Sequence, residues 1–210
     1  MQMLFMVWVV DRLHKLLLDI PAQLETERMV VRKYAEGDGQ GLYHLLERND
    51  NRNNLAEHVD EATEIRTAVE AEIRIRQLAA DWVARTRFVM GLWLKPSNEQ
   101  IGQIWVEPRN WDVPSFELGW FLDSGFWGKG LAAEAARCAI RFIFECLHAH
   151  KIIVITRDNN ERSHRLAQRL GFAKEGHLRE CSAKDGLRWG LFYYGMLRNE
   201  YETHTESATV

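Results

Sequence analysis

Trp127, Gly128, Lys129, Gly130, Leu131 and Ala132 stand where a strand-like run ending at Leu122 meets a helical pattern beginning at Leu131. Glycines at such a junction turn the backbone tightly and let its N–H groups approach an anion. The first helical turn adds donors without intrahelical partners and the positive end of the helix dipole. Together they make a socket for a pyrophosphate, although a lone Gly-x-Gly also fits a plain strand-to-helix turn. The preceding strand alternates. Phe116, Leu118, Trp120 and Leu122 share one face, and Ser115, Glu117, Gly119 and Phe121 the other. The apolar set faces a core, so Glu117 looks the opposite way, placed for proton transfer or for a surface ion pair. Downstream, Asn159, Asn160, Glu161, Arg162 and Ser163 open a further helical segment that closes on Arg169, Leu170, Gly171 and Phe172. Arg157, Arg162, Arg165, Arg169 and Lys174 gather around it, as a solvated helix face or as a positive rim for an anionic ligand.

These residues need a frame to position them. Residues 29–34 read as a strand, and Gly37, Asp38 and Gly39 as a turn into a helix supported by Leu42, Leu45 and Leu46. Residues 49–54 are polar throughout and predict a solvated loop. Residues 61–84 predict one long helix with Ile65, Val69, Ile73 and Ala80 near one face. Residues 88–94 and 100–106 are strands joined by a hairpin loop at Lys95, Pro96, Ser97 and Asn98, and residues 111–114 form the next connection. After the helix at 131–148 come a short β-branched strand at 151–156 and a final pair at 172–180 and 189–197, linked through Lys184, Asp185 and Gly186. The order predicts an α/β (α+β) fold with a single sheet of mixed direction.

The two glycine- and asparagine-led segments, in this order and spacing, resemble the GNAT superfamily of acetyl-CoA-dependent N-acetyltransferases. In that family a Gln/Arg-x-x-Gly-x-Gly/Ala turn holds the CoA pyrophosphate, an Asn-x-x-Ser helix start touches the pantetheine arm, and Leu-Gly-Phe ends that helix. Here Trp127 replaces the usual Gln or Arg, while Gly130 and Ala132 match. Residues 24–32 (Leu-Glu-Thr-Glu-Arg-Met-Val-Val-Arg) resemble the first strand of the ribosomal-protein N-terminal acetyltransferases of RimJ/RimL type. So do Glu117, Leu118, Gly119, Trp120 and the Trp-Gly-Lys-Gly-Leu-Ala-Ala-Glu-Ala run from Trp127. The likeness covers roughly residues 20–200. It implies a mostly antiparallel sheet flanked by helices, with two parallel strands splayed apart to admit the cofactor. It also implies acetyl-CoA as co-substrate, held by Phe121, Leu122, Trp127, Gly128, Lys129, Gly130, Leu131, Ala132, Asn160 and Ser163.

The implied chemistry is direct transfer to an amine, whose ammonium must first lose a proton. Glu117 aligns with the strand glutamate that serves as base in several members, and Glu175 and Glu180 are the other carboxylates considered. A tyrosine that protonates the thiolate in many members is replaced by Ala167, so Ser163 and Tyr194 are the candidates for that role. Ser163 could instead cap its helix, and Tyr194 could be a core tyrosine. An α-amine, with a pKa near 7.7–8.0, costs roughly 1 kcal/mol to neutralise at pH 7, and a lysine roughly 4–5 kcal/mol. This agrees with a protein or peptide N-terminus, the acceptor that the RimJ/RimL-type resemblance implies, and the resemblance places residues 49–54 near its entrance. The rivals are a polyamine or aminoglycoside, to which Glu57, Asp60, Glu61 and Glu64 could offer carboxylates, and a non-catalytic acyl-CoA sensor.

The 210 residues carry a net charge of −3 and 46% apolar residues, enough for a sizeable core and contrary to the basic surplus of a nucleic-acid binder. Cys138, Cys146 and Cys181 have no metal-type spacing and suit a reducing, cytoplasmic setting. Residues 1–10 are apolar but too short to span a bilayer. Residues 11–20 predict an amphipathic helix with Leu13, Leu16 and Leu17 on one face. The expected organisation is a segment at 1–22 packed on the domain or on a partner subunit, leaving a homodimer open, one catalytic domain at 23–200, and a polar tail at 201–210. No metal, nucleic acid or membrane partner is expected.

Overall fold

A computed structural model describes residues 14–56, 61–184 and 186–207. Its frame is an eight-stranded sheet in the order β1-β2-β3-β4-β5-β6-β8-β7. The strands are β1 (Gln23–Glu25), β2 (Met29–Lys33), β3 (Phe88–Leu94), β4 (Glu99–Asn110), β5 (Ser115–Leu122), β6 (Lys151–Arg157), β7 (Ala173–Lys184) and β8 (Leu187–Leu197). Every neighbouring pair is antiparallel except β5 and β6. These two pair in parallel only at Ser115–Lys151, Phe116–Ile152 and Glu117–Ile153, and then diverge. The mixed, mostly antiparallel sheet with a splayed parallel pair is the architecture expected from the sequence.

Helices cover both faces. They are α1 (Gly39–Glu47), α2 (Asn51–Leu55), α3 (Glu61–Glu64), α4 (Ala68–Ala84), α5 (Leu131–Glu145), α6 (Glu161–Arg169) and α7 (Arg198–Ser207). α5 buries Leu131, Ala135, Cys138, Ala139, Phe142 and Ile143, the helical repeat of a single apolar stripe, against Met90, Ile104, Phe116 and Leu118. On the opposite face α1 and α4 pack over Val89, Trp93 and Phe121. β3 is thus buried on both sides, which is why its seven residues read as a continuous apolar run.

Several expectations need correction. The stretch at 61–84 is two helices, because Thr67 leaves helical geometry and caps α4 in a reciprocal capping box with Glu70. The break resets the helical phase. The stripe that packs is Ala71, Ile75, Leu78 and Trp82, whereas Val69 is 69% exposed and Ile73 51%. The polar loop at 49–54 holds α2, with Asn51 fully buried. Residues 24–32 form a hairpin, β1 and β2, rather than one strand. Residues 1–13, including Leu13, lie outside the described residues. Beyond them only a single 3-10 turn forms at Lys15–Leu17, and Leu18, not Leu16 or Leu17, is buried. The expected polar tail continues as α7, with Tyr201 stacked on Phe144 at 4.6 Å between ring centres.

Candidate active site

Divergence of β5 from β6 opens a cleft of about 1090 Å³. Leu118, Gly119, Trp120, Phe121 and Leu122 line one wall, Val154, Ile155, Thr156 and Arg157 the other. Past Glu117–Ile153 the facing backbone groups of the two strands form no ladder with each other, so they are available to an extended ligand laid between them.

The turn expected to hold a pyrophosphate closes one end. Gly128 and Gly130 have φ of +76° and +77°, the left-handed region in which an L side chain is strained. A Cβ at Gly128 would meet nothing within 4 Å. Gly130 is the N-cap of α5, and Gly128, Gly130, Leu131 and Ala132 line the cleft. Arg28 fixes the turn from behind. Its Nη1 donates to the Lys129 carbonyl at 2.8 Å, its Nε to Glu134 Oε2 at 2.6 Å, and its backbone N–H to Glu134 Oε1 at 2.9 Å. Because a trans peptide points C=O and N–H in opposite directions, drawing the Lys129 carbonyl toward Arg28 sends the Gly130 N–H the other way. Burial alone would raise the Glu134 carboxyl, but Thr26 and Arg28 outweigh it and hold it below the usual carboxylate range.

Trp127 donates its indole N–H to the Leu122 carbonyl at 2.8 Å, and the Arg162 guanidinium lies 3.9 Å from its ring centre. The Trp at this place therefore brings in a cation from α6 by stacking. The Lys129 ammonium bonds the Gly125 carbonyl at 3.0 Å and lies over Phe126, itself a lining residue, and Lys129 is not among the residues that line the cleft. Arg157, Arg162, Arg165 and Arg169 all border the cleft, while Lys174 packs over Phe192 instead.

Asn160 caps α6, accepting the Ser163 N–H at 3.1 Å. Asn160 and Ser163 both line the cleft, and the cap is Asn160 rather than Ser163. Tyr194 is placed differently. It is 1% exposed within the main core and its hydroxyl lies 3.4 Å from His164 Nδ1. Burial pushes that hydroxyl's pKa up, and the residue does not line the cleft. Ala167 is buried in the same core.

Glu117 faces the cleft from the β5 face opposite the α5 core. It is ion-paired with Arg109, a residue that sequence reasoning missed. Desolvation is the largest influence on the Glu117 carboxyl and raises it, Arg109 opposes this, Glu107 adds to it, and the net shift is upward. Glu175 bonds Lys151 at 2.7 Å and Glu180 pairs with Arg188 at 3.7 Å, and neither reaches the cleft. Beyond Glu117, Trp105, Asn54 and Leu55 extend the cavity. The Trp105 indole lies across Gly119, where a Cβ would come within 2.0 Å of it. Among the described residues no group of three or more His, Cys, Asp or Glu is placed to hold a metal. No helix among them is long and apolar enough to cross a membrane.

Residues 28–173 match the family model for the acetyltransferase (GNAT) domain. An uncharacterized N-acetyltransferase of Bacillus subtilis, YnaD, is 24% identical over 178 residues, covering 85% of this chain and 98% of that protein. The ribosomal protein uS5-alanine N-acetyltransferase of Escherichia coli is 39% identical over 69 residues, which is 33% of this chain and 36% of the relative. Among solved structures, a ribosomal-protein-S5-alanine acetyltransferase from Vibrio fischeri superposes with a TM-score of 0.75 at 22% identity, over 85% of this chain and 98% of the other. A microcin C7 self-immunity acetyltransferase, crystallised with acetyl-CoA and AMP, superposes with a TM-score of 0.76 at 18% identity, over 84% and 97%.

Proposed function

From membership of the acetyltransferase (GNAT) family, to which this chain belongs, we propose that it acetylates the N-terminal amine of a protein or peptide. That it is an acetyl-CoA-dependent N-acetyltransferase follows from the family itself. The acceptor and the residue roles are the proposal. One observation carries it: the left-handed glycine turn at the start of α5 and the carboxylate of Glu117 open into the same cleft between splayed strands.

In this reading the turn and the first amides of α5 bind the pyrophosphate, and the arginine rim meets the remaining nucleotide charge. The pantetheine arm lies along the open edges of β5 and β6, past Asn160. Glu117, directly or through a water, takes the proton of the acceptor ammonium. The amine nitrogen then attacks the thioester carbonyl, a new C–N bond forms, the C–S bond breaks, the thiolate leaves with the electron pair, and the second proton of the attacking nitrogen passes to it to give the free thiol of CoA. Of the two candidates for protonating the thiolate, Ser163 is the one supported, because it lines the cleft in the first turn of α6 while Tyr194 sits in the core.

The N-terminal acceptor is supported by the local likeness to the ribosomal-protein enzyme and by the cleft's charge. Glu117 is the only carboxylate among the described residues lining it. A polyamine site would need several. Of the acidic segment considered for that role, Glu57 and Asp60 lie outside the described residues and Glu64 is exposed. The test is thiol release from acetyl-CoA across Ser-, Ala- and Thr-initiated peptides, spermidine and an aminoglycoside. A kcat/KM for either small amine a hundredfold above every peptide overturns the acceptor and leaves the acetyltransferase in place.

A further inference from the structure

Glu107 and Glu117 stand directly opposite each other on β4 and β5. Like charges in that position repel. Each is met by its own guanidinium: Arg87 lies 2.7 Å from Glu107, and Arg109 bonds Glu117. Arg109 meets Glu117 from an irregular point of β4. The ladder pairs Pro108 with Phe116 and Asn110 with Ser115, so the register shifts and Arg109 is the extra residue of a β-bulge. Bulges of this kind re-aim a side chain and recur next to reactive sites. The pair is also asymmetric. The Glu117 side chain is 15% exposed and that of Arg109 48%. The guanidinium can be held at the rim at little cost, while the carboxylate is withdrawn from water. The charged groups acting on Glu117 are Arg109, Glu107 and Arg87, and Tyr193 on β8 and Glu107 act on Arg109 as well.

We propose that Arg109 is a positioning residue that keeps Glu117 charged and aimed into the cleft, and that it thereby selects weakly basic α-amines over strongly basic ones. The proposal rests on Glu117 being the proton acceptor. A desolvated carboxylate without a counter-ion draws in the most firmly charged ammonium available, such as a lysine side chain or a polyamine. One already paired with a guanidinium offers no such attraction. It favours an amine that is partly neutral on arrival: roughly a tenth of α-amines at pH 7, against about one lysine in 2,500. Arg109 also opposes the effect of burial, which pushes the Glu117 carboxyl toward its neutral, inactive form.

The experiment compares the wild type with R109Q, R109K and, should R109Q be unstable, R109M. The Glu117 carboxyl is titrated by its ¹³C shift in the free protein, which needs no substrate. Transfer to a lysine-free Ala-initiated peptide is measured against transfer to spermidine, with E117Q as the control for the base. The expected result for R109Q is a Glu117 midpoint at least about one pH unit higher, an acidic limb of kcat/KM that moves with it, and a peptide-to-spermidine ratio at least about tenfold lower. R109K should keep all three near wild type. An unmoved midpoint, or an equal loss on both acceptors with the limb in place, overturns the positioning role. A raised midpoint with an unchanged ratio overturns the selection. Full turnover in E117Q overturns the base assignment instead, and is read independently of Arg109.

Discussion

Two side-chain replacements address the chemistry directly. Glu117→Gln keeps the shape and hydrogen-bonding reach of the residue but cannot take a proton. Turnover should fall roughly 10²–10⁴-fold with acetyl-CoA affinity nearly intact, and the acidic limb of the pH–rate profile should vanish. The limb belongs to Glu117 because protonation removes the base, and burial places that protonation above the ordinary carboxylate value. Near-normal turnover with an unchanged profile would make Glu117 a structural ion-pair partner. Gly130→Glu tests the turn. The position has φ of +77°, so any side chain is strained there, and a carboxylate adds negative charge where phosphate is expected. The new side chain would also start 3.5 Å from Arg28 Nη2 and compete with Glu134 for it. Calorimetry should find acetyl-CoA binding abolished. Retained affinity would remove the turn from the binding site.

At the level of elements, the glycine turn is braced by the β1–β2 hairpin through Arg28. Arg28→Ala frees the Lys129 carbonyl and leaves Glu134 without its cation. The KM for acetyl-CoA should rise about tenfold, the worth of a charge-assisted hydrogen bond, while kcat changes little. A large fall in kcat at saturating acetyl-CoA would contradict a purely ground-state role. This clamp also shows where the sequence stops being legible. The glycine turn, the alternation of β5 and the stripe of α5 are periodic signals within one element, and the structure keeps them. Arg28, Arg109 and Trp105 act across elements, at separations set by strand order and by a bulge, and no local pattern announces them. The Asn-rich stretch at 49–54 is illegible for a related reason. Polarity predicted solvent, yet Asn51 is buried with both ends of its carboxamide engaged: it accepts the Ser124 N–H at 2.9 Å and donates to the Leu45 carbonyl at 2.7 Å. Hydropathy cannot foresee a polar group satisfied inside the fold. The α4 face is not legible from spacing because Thr67 breaks the helix between Ile65 and Val69, and a repeat counted across the break does not mark one face.

Across the whole molecule, one buried carboxylate ties together segments that lie far apart in sequence. Asp123, at the end of β5, has no solvent exposure. It accepts from Asn49 Nδ2 at 2.9 Å and from the Gly125 N–H at 2.9 Å, and it pairs with Arg48. Arg48 in turn bonds the Gln100 carbonyl and lies 2.6 Å from Glu99. Ser124 closes the network by donating its hydroxyl to the Asn49 carbonyl at 2.6 Å. The α1–α2 junction, the β3–β4 hairpin and the segment leading to Trp127 are thus tied at a single point. Burial would raise the Asp123 carboxyl, but its donors outweigh burial and the folded-state pKa is depressed. A depressed carboxylate stabilises the fold fully above its unfolded pKa of about 3.9, and that contribution is lost as pH falls through the lower folded value. Asp123→Ala leaves the Asn49 and Gly125 amide donors without their acceptor and takes from Arg48 one of its two carboxylate partners. It should cost about 3 kcal/mol at pH 7, the low end for breaking a buried pair because Arg48 is partly exposed. The difference between variant and wild type should shrink as pH is lowered below about 4, since the wild type then loses the same interaction. Urea denaturation at pH 7 and in steps down to pH 3 measures both quantities. A deficit that stayed constant across that range would mean that Asp123 acts through packing and neutral hydrogen bonds, and that its charge does not hold these segments together.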